Sequence, residues 1–336
     1  MKQNMYQWLE DVKAAKVKKT IPVLSFPGIQ LIGINVPTLI GNSDLQSDCM
    51  AAIAQRCDTG AAVSLMDLSV EAEAFGAEIR TSNDEVPTVI GHVVETEEDA
   101  DNLVVPSVGA KRTGIYIDSM KKAVEKITDR PVFAGVIGPY SLAGRLMDMT
   151  EIMIKCYTEP EIVHKVLEKV TQFSIEYIKA YKEVGANGFV MAEPAAGLLS
   201  PDLNAEFSTP YVKHINDAVQ DENFICIYHN CGNAIASMTD SLQENGAMAY
   251  HFGNAVEMED MLKLMPTDRL VMGNVEPSAY FRNGTPESIY KKTTQVMQQC
   301  CKYDNFVISS GCDIPPLSPW ENIDSFFKAV SDFYTG

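Results

Sequence analysis

Eight short apolar stretches recur along the chain, and their number and texture constrain the fold more than any other feature of the sequence. They run from Ile21 to Phe26, Ala61 to Met66, Pro131 to Ile137, Gly188 to Ala192, Phe224 to Tyr228, Ala247 to Phe252, Leu270 to Gly273 and Phe306 to Ser309. Each is too short for a helix and does not alternate polar with apolar residues, which is the pattern of strands covered on both faces. Amphipathic helical patterns fall between several of them. Val163, Val166, Leu167, Val170, Phe173, Tyr177, Ile178 and Tyr181 follow Pro160 at helical spacing, and Ile323, Phe326, Phe327, Val330 and Phe333 do the same near the end of the chain. Thr158, Pro160 and Glu161 predict a capping box at the start of the first of these helices, Ser318, Pro319 and Glu321 one at the start of the second, and Gly185 a stop. Strands alternating with helices build a parallel sheet, and eight of them predict a closed (β/α)8 TIM barrel in the α/β class.

Two segments exceed a minimal barrel. Residues 1 to 20 predict an N-terminal helical extension with Trp8, Leu9 and Val12 on one face. Leu68 to Arg130 is far too long for one strand-to-helix connection and is read as an insertion after strand 2. It holds a predicted helix over Val70 to Ile79, an acidic stretch from Asp84 to Asp101 and a predicted helix near Ile115 to Ile127. Because it leaves the C-terminal end of its strand, it rises on the face where barrel active sites lie, as a lid or docking surface; packing on the barrel rim is the plainer alternative. With no internal repeat or linker, residues 1 to 336 are expected to form a single domain.

Charge and composition narrow the partners. Acidic residues number 45 against 27 basic, a formal net charge of -18, which opposes sequence-independent attraction to nucleic acid or to an anionic membrane. No apolar run reaches the roughly eighteen residues of a membrane span. The N-terminus carries no signal-peptide apolar region, and a cytoplasmic location is expected. The eight cysteines have no regular spacing and lie mostly inside apolar runs, so reduced thiols are expected rather than a disulfide framework.

The chemistry sits at strand exits. The stretch Phe224 to Tyr228 runs straight into His229 and Cys231, and the last stretch delivers Cys312 behind Gly311. In a barrel all C-terminal strand ends share one face, so these three side chains can converge over the mouth. One histidine and two cysteines suit tetrahedral zinc and leave a fourth position open, the arrangement of a catalytic site. Glu193, at the exit of the stretch before, is a candidate to close that shell or orient a ligand, the alternative being a carboxylate bonded to backbone donors. His251 and Glu276 end neighbouring stretches and are weaker candidates for contacts with substrate or ligands. Cys226, Cys300 and Cys301 read as core or helix residues.

Four motifs together carry a family resemblance: HNCG at His229 to Gly232, SGCDIPPLSPWENI at Ser310 to Ile323, DLSVEAEAFGAEI at Asp67 to Ile79 and GPYSLAG at Gly138 to Gly144. In order and over nearly the whole chain, they resemble the uroporphyrinogen decarboxylase superfamily, and within it the cobalamin-dependent methyltransferase branch typified by methylcobalamin:coenzyme M methyltransferases. The resemblance implies a zinc ion held by His229, Cys231 and Cys312. It also implies methylcobalamin on a separate small corrinoid-binding protein, and a small thiol such as coenzyme M as methyl acceptor. Zinc would make the thiolate the prevailing form of that acceptor. A sulfonate on the acceptor needs a cation, for which Arg145 and Arg282 are the candidates. True decarboxylases of the superfamily carry an arginine-rich N-terminal segment, whereas Pro22 to Val36 contains no arginine here, and decarboxylation is set aside. Two other readings stay open. One is methyl transfer onto the corrinoid from a methoxy, methylamino or methylthio compound; the other is a non-catalytic zinc-stabilised protein that recognises the corrinoid partner.

Overall fold

The computed structural model describes residues 3–336. Among them nine strands follow in chain order: β1 (Ala62–Val63), β2 (Glu78–Arg80), β3 (Thr88–Ile90), β4 (Val132–Ile137), β5 (Gly188–Ala192), β6 (Ile225–Asn230), β7 (Ala249–Phe252), β8 (Leu270–Val275) and β9 (Phe306–Ser310). Seven of them form one curled parallel sheet in the order β1-β4-β5-β6-β7-β8-β9, while β2 and β3 pair antiparallel within the insertion. Helices pack around the outside, and the architecture is the expected α/β barrel.

The barrel closes differently from the regular eight-stranded expectation. Ile21 to Phe26 is not a ladder strand but an irregular segment seated between β9 and β1. The Ile21 N–H donates to the Ile308 carbonyl at 3.4 Å and Gly60 N–H to the Thr20 carbonyl at 2.8 Å. Side chains add to these and to the Ile314 N–H on the Val23 carbonyl (3.0 Å): Thr20 Oγ1 donates to the Ile308 carbonyl (2.7 Å), Ser309 Oγ to the Ile21 carbonyl (2.8 Å), and Val23 N–H to Ser310 Oγ (3.0 Å). Pro22 has no N–H to give, so a continuous ladder is interrupted at its second residue.

Alternation along each strand divides the core in two. Ile225 and Ile227, Val190 and Ala192, Ala249, Leu270, Met272 and Val307 fill the barrel interior. Cys226, Tyr228, Phe189, Met191, Tyr250 and Phe252 face the helices instead. Successive side chains point to opposite faces of a strand, so this parity fixes what each exit residue can reach. The N-terminal helix Met5–Ala14 adds Met5, Trp8 and Leu9 to the interior cluster, with the Trp8 ring 5.8 Å from Phe133. The helix is the expected extension, and it plugs the end of the barrel where the strands begin, with the Met5 N–H on the Glu222 carbonyl just ahead of β6.

Three local expectations are corrected. The helix expected over Val70 to Ile79 spans only Val70–Ala74, because Gly76 at φ +100° breaks it and Glu78–Arg80 enters β2. Neither capping box forms: the helices Pro160–Glu183 and Trp320–Thr335 start at Glu159 and Pro319 with no side-chain cap, and Ser318 Oγ is buried without a partner among the described residues. In the first of these helices Pro160, in the first turn, already removes one of the orphan N–H groups that a cap would satisfy, and in the second the cap position is taken by Pro319, whose side chain has no acceptor. The helix near Ile115 to Ile127 is present as Thr113–Lys126. No helix among the described residues is long and apolar enough to cross a membrane.

Candidate metal centre

His229 is the last inward-facing residue of β6, above Ile225 and Ile227. Cys231 lies one step beyond the strand with the same parity, and Cys312 follows the end of β9 through Gly311. The structure brings these three together: their ligating atoms all lie within 4.8 Å of one another. The bonds a zinc would make to them are about 2.3 Å to sulfur and about 2.0 Å to nitrogen. Within the pair of thiols, the hydrogen bond from Cys312 holds the Cys231 thiol well below its ordinary pKa, while Cys312, which keeps the shared proton, is held above.

A buried chain of hydrogen bonds fixes the imidazole. Ser309 Oγ gives its proton to the Ile21 carbonyl and therefore accepts from His251 Nε2 at 2.7 Å. Burial, with the nearby His229, pushes the His251 pKa well below its usual value. A neutral His251 protonated at Nε2 has a bare Nδ1, so the 2.7 Å contact between the two Nδ1 atoms must use a proton on His229. The second lone-pair position of His229, Nε2, is then unprotonated. It is buried, with no hydrogen bond of ordinary geometry among the described residues and the Cys231 thiol beside it. An orphaned imidazole nitrogen beside two thiols is the donor set that zinc asks for, and the residues present fit that ion.

These groups open into a cavity of about 320 Å³, at the small end of ligand pockets. Its walls include Met66, Leu68, Pro194 and Pro315, and the insertion contributes Glu85 to Thr88 from the turn between β2 and β3. The insertion is held down by a buried network on Asp67, the residue that follows the second apolar stretch. Asp67 accepts from Arg112 (2.5 Å), Tyr116 (2.7 Å) and Ser69 (2.6 Å), and Arg112 also reaches Glu73 at 2.6 Å. Asp313, next to Cys312, lines the same cavity; burial raises its pKa well above the carboxylate range, and it accepts from Ser25 at 3.3 Å.

The other candidates fall elsewhere. Glu193 is not in the cluster: Ala192 points inward, so Glu193 points out to the helix Pro139–Met147, where its carboxylate accepts from the Ser141 N–H at 3.0 Å. A Cβ on Gly138 would stand 1.6 Å from the other carboxylate oxygen, which accounts for the glycine that opens GPYSLAG. Burial raises the Glu193 pKa to about 8. Glu276 lines a separate pocket of about 100 Å³ with Lys292. Cys226 and Cys300 are buried and Cys301 is half-buried, away from the cluster. The Ser309 and Ile21 end of the hydrogen-bond chain went unseen in the sequence.

A barrel with a His-Cys-Cys constellation and a small cavity at the strand exits is thus the class of protein defined here. Residues 24–333 match the family described as Uroporphyrinogen decarboxylase (URO-D), and the chain belongs to that family. Among similar proteins, the methylcobamide:CoM methyltransferase MtbA of Methanosarcina acetivorans is 27% identical over 271 residues, covering 80% of this chain and 78% of the relative. A uroporphyrinogen decarboxylase of Hydrogenovibrio crunogenus is 23% identical over 306 residues, covering 88% of this chain and 84% of the relative. A solved structure described as a methyltransferase from Methanosarcina mazei shares the fold at a TM-score of 0.85 and 24% identity, over 99% of this chain and 98% of that one.

Proposed function

We propose that this protein is a zinc-dependent methyltransferase that moves a methyl group from a methylated corrinoid, carried by a small partner protein, to a small thiol. The observation that carries this reading is the orphaned Nε2 of His229 beside Cys231 and Cys312 at the mouth of a small cavity. The activity in the name of the MtbA relative supports it. When bound, zinc would supply the positive charge that keeps the acceptor sulfur in its thiolate form at neutral pH. His229 and the two cysteines would hold the ion, and three protein ligands leave one position for the substrate sulfur. His251 holds the His229 proton at Nδ1 and so keeps Nε2 available. The insertion turn from Glu85 to Thr88 and the apolar walls limit water at the reacting sulfur.

Decarboxylation of a porphyrinogen is disfavoured by the size of the cavity and by the absence of arginine from Pro22 to Val36. Incubating the zinc-loaded protein with free methylcobalamin and small thiols should consume the methylated corrinoid and yield the methyl thioether. X-ray absorption should show one added sulfur at zinc, with release of about one proton per thiol bound below the free thiol's pKa of about 8.5. Methylation of reduced corrinoid by a methoxy, methylamino or methylthio compound, with no thiol reaction, would reverse the assigned direction. Inertness in both assays would overturn the reading.

A separate expectation concerns His251. His251→Phe keeps most of the ring's bulk but removes the acceptor that orients His229, so zinc affinity should fall about 10- to 100-fold. Chelator competition reads this directly, and an affinity within twofold of wild type would remove His251 from the site.

A further inference from the structure

Asn230 stands between His229 and Cys231, and strand parity turns it the other way. Ile225 and Ile227 face the barrel interior while Cys226 and Tyr228 face the helices, so Asn230 follows the second set, and it is wholly buried. Its carboxamide is fully engaged. Nδ2 donates to the Glu193 carbonyl at 2.7 Å and more weakly to the Tyr228 hydroxyl at 3.4 Å, while Oδ1 accepts from the Gly232 N–H at 2.8 Å. The Glu193 carbonyl only accepts and the Gly232 N–H only donates, which fixes the nitrogen end of the amide and leaves no second orientation. Position 230 must therefore donate and accept at once, and an ionised aspartate cannot donate.

The bond from the Gly232 N–H to Oδ1 closes an Asx turn in which Cys231 is the middle residue. The chain on both sides of Cys231 is thus tied to one carboxamide, and that carboxamide is tied to the exit of β5. Packing there is backbone on backbone. A Cβ on Gly197, in the turn Ala195–Leu198, would lie 2.2 Å from Asn230 Oδ1 and 2.7 Å from the Gly232 Cα, and one on Gly232 would lie 2.4 Å from the Gly197 Cα. The anchor is itself held firmly: the Glu193 N–H donates to the His229 carbonyl at 2.9 Å, and the Glu193 carboxylate accepts from the Ser141 N–H.

We infer that Asn230 is a positioning residue of the metal centre, whose carboxamide sets the direction in which Cys231 presents its sulfur to His229 and Cys312 while touching neither metal nor substrate. The inference rests on the proposed zinc shell and adds the residue that aims one of its donors. The two ligands of the β6 exit differ in what holds them. His229 is paired within the ladder between β6 and β7, whereas Cys231 lies past the last pair, Asn230 with Phe252, and needs another fixture. A binding constellation has to be held to about 0.5 Å by the partners of its ligands. Glu193, which is no ligand, thereby serves the centre through its main-chain carbonyl.

Cobalt(II) in place of zinc gives the test, because its d–d bands and its sulfur-to-cobalt charge transfer report ligand geometry directly. Wild type should take up about one cobalt per chain with a tetrahedral, two-thiolate spectrum. Asn230→Ala removes both bonds, and Asn230→Asp keeps the shape but sets an oxygen against the Glu193 carbonyl. In each, the charge-transfer band should weaken and the d–d bands shift, and zinc affinity read by chelator competition should fall about 10- to 100-fold. Gly197→Ala alters no hydrogen-bonding side chain, yet it crowds the carboxamide from outside and should move the spectrum in the same sense. A second buried asparagine is the control. Asn216 donates to the Asn245 carbonyl at 2.8 Å, ahead of β7 and at the opposite end of the barrel from the cysteines. Asn216→Ala should lower the thermal midpoint, as loss of a buried bond does, and leave the cobalt spectrum unchanged. Should Asn230→Ala fail to fold, Asn230→Asp and Gly197→Ala carry the same comparison. A wild-type spectrum and affinity in the Asn230 variants, or an equal spectral change in Asn216→Ala, would overturn the role of Asn230 and leave the zinc shell standing. Wild type that takes up no cobalt would overturn the shell, and the role of Asn230 with it.

Discussion

Replacing Cys312 with serine should take the purified, zinc-supplemented protein from about one zinc per chain to nearly none, and His229→Ala and Cys231→Ala should do the same. The reason is the thinness of the shell. Three protein donors converge within 4.8 Å, and Glu193, which stands near them in sequence order, spends its carboxylate on a helix N-terminus instead. Each substitution leaves two donors and no reserve. The barrel itself should survive, because Cys231 and Cys312 lie beyond the strand ends rather than in the packed interior. Elemental analysis with far-ultraviolet circular dichroism separates lost metal from lost fold. Zinc content that is negligible in wild type, or untouched by all three substitutions, would dissolve the site.

A residue that binds nothing should have an effect of comparable size. Gly253 follows β7 against the Cys231 backbone: a Cβ built there would lie 2.4 Å from the Cys231 Cβ and 2.6 Å from its Cα. Those distances are far inside contact, and Gly253 is pinned, since its N–H donates to the Asn230 carbonyl at 3.0 Å and its own carbonyl accepts from Asn274 at 3.0 Å. In Gly253→Ala the strain therefore falls on Cys231. Overpacking of this kind costs about 1–3 kcal/mol of stability, and a displaced sulfur should weaken zinc by tenfold or more on the scale seen when ligand orientation is lost. Chelator competition and the thermal midpoint should both fall. A variant that holds zinc as tightly as wild type would show that the loop has room to give.

What the sequence made legible, and what it hid, divides by the range of the forces involved. The strands could be placed because burial on both faces leaves a local mark, and the strand exits then put His229, Cys231 and Cys312 on one face whatever their separation. Glu193 was misjudged as a ligand candidate although parity was available: Val190 and Ala192 point in, so Glu193 points out. The Ile21 to Phe26 segment has a strand's composition, but Pro22 removes a donor and neighbouring hydroxyls take over the pairing. Gly76 ends a helix that the apolar pattern would have continued. The hydrogen bond from His251 to Ser309 had no local signature, because β7 and β9 are separated by β8 and meet only through the curvature of the barrel. Of the two arginines singled out in the sequence, Arg145 lines the cavity while Arg282 is spent on the Leu317 carbonyl, a difference that no local pattern reveals.

The irregular seam between Ile21 and β9 gives the molecule a clasp rather than a weld. Two positions 288 residues apart are joined there by a serine hydroxyl that also terminates the chain of protons running to His229. Regular strand ladders open cooperatively and seldom; a join of a few isolated backbone bonds and side-chain hydroxyls belongs to the low-energy end of native fluctuations. Each brief parting of the two ends would leave the Ser309 hydroxyl without its acceptor and free to donate to His251 Nε2 instead, so that the His251 and His229 rings could change tautomer. The readiness of the centre is therefore tied to the meeting of the chain's beginning and end, and a loosened N-terminal segment would be felt at the cysteines before it was felt in the fold.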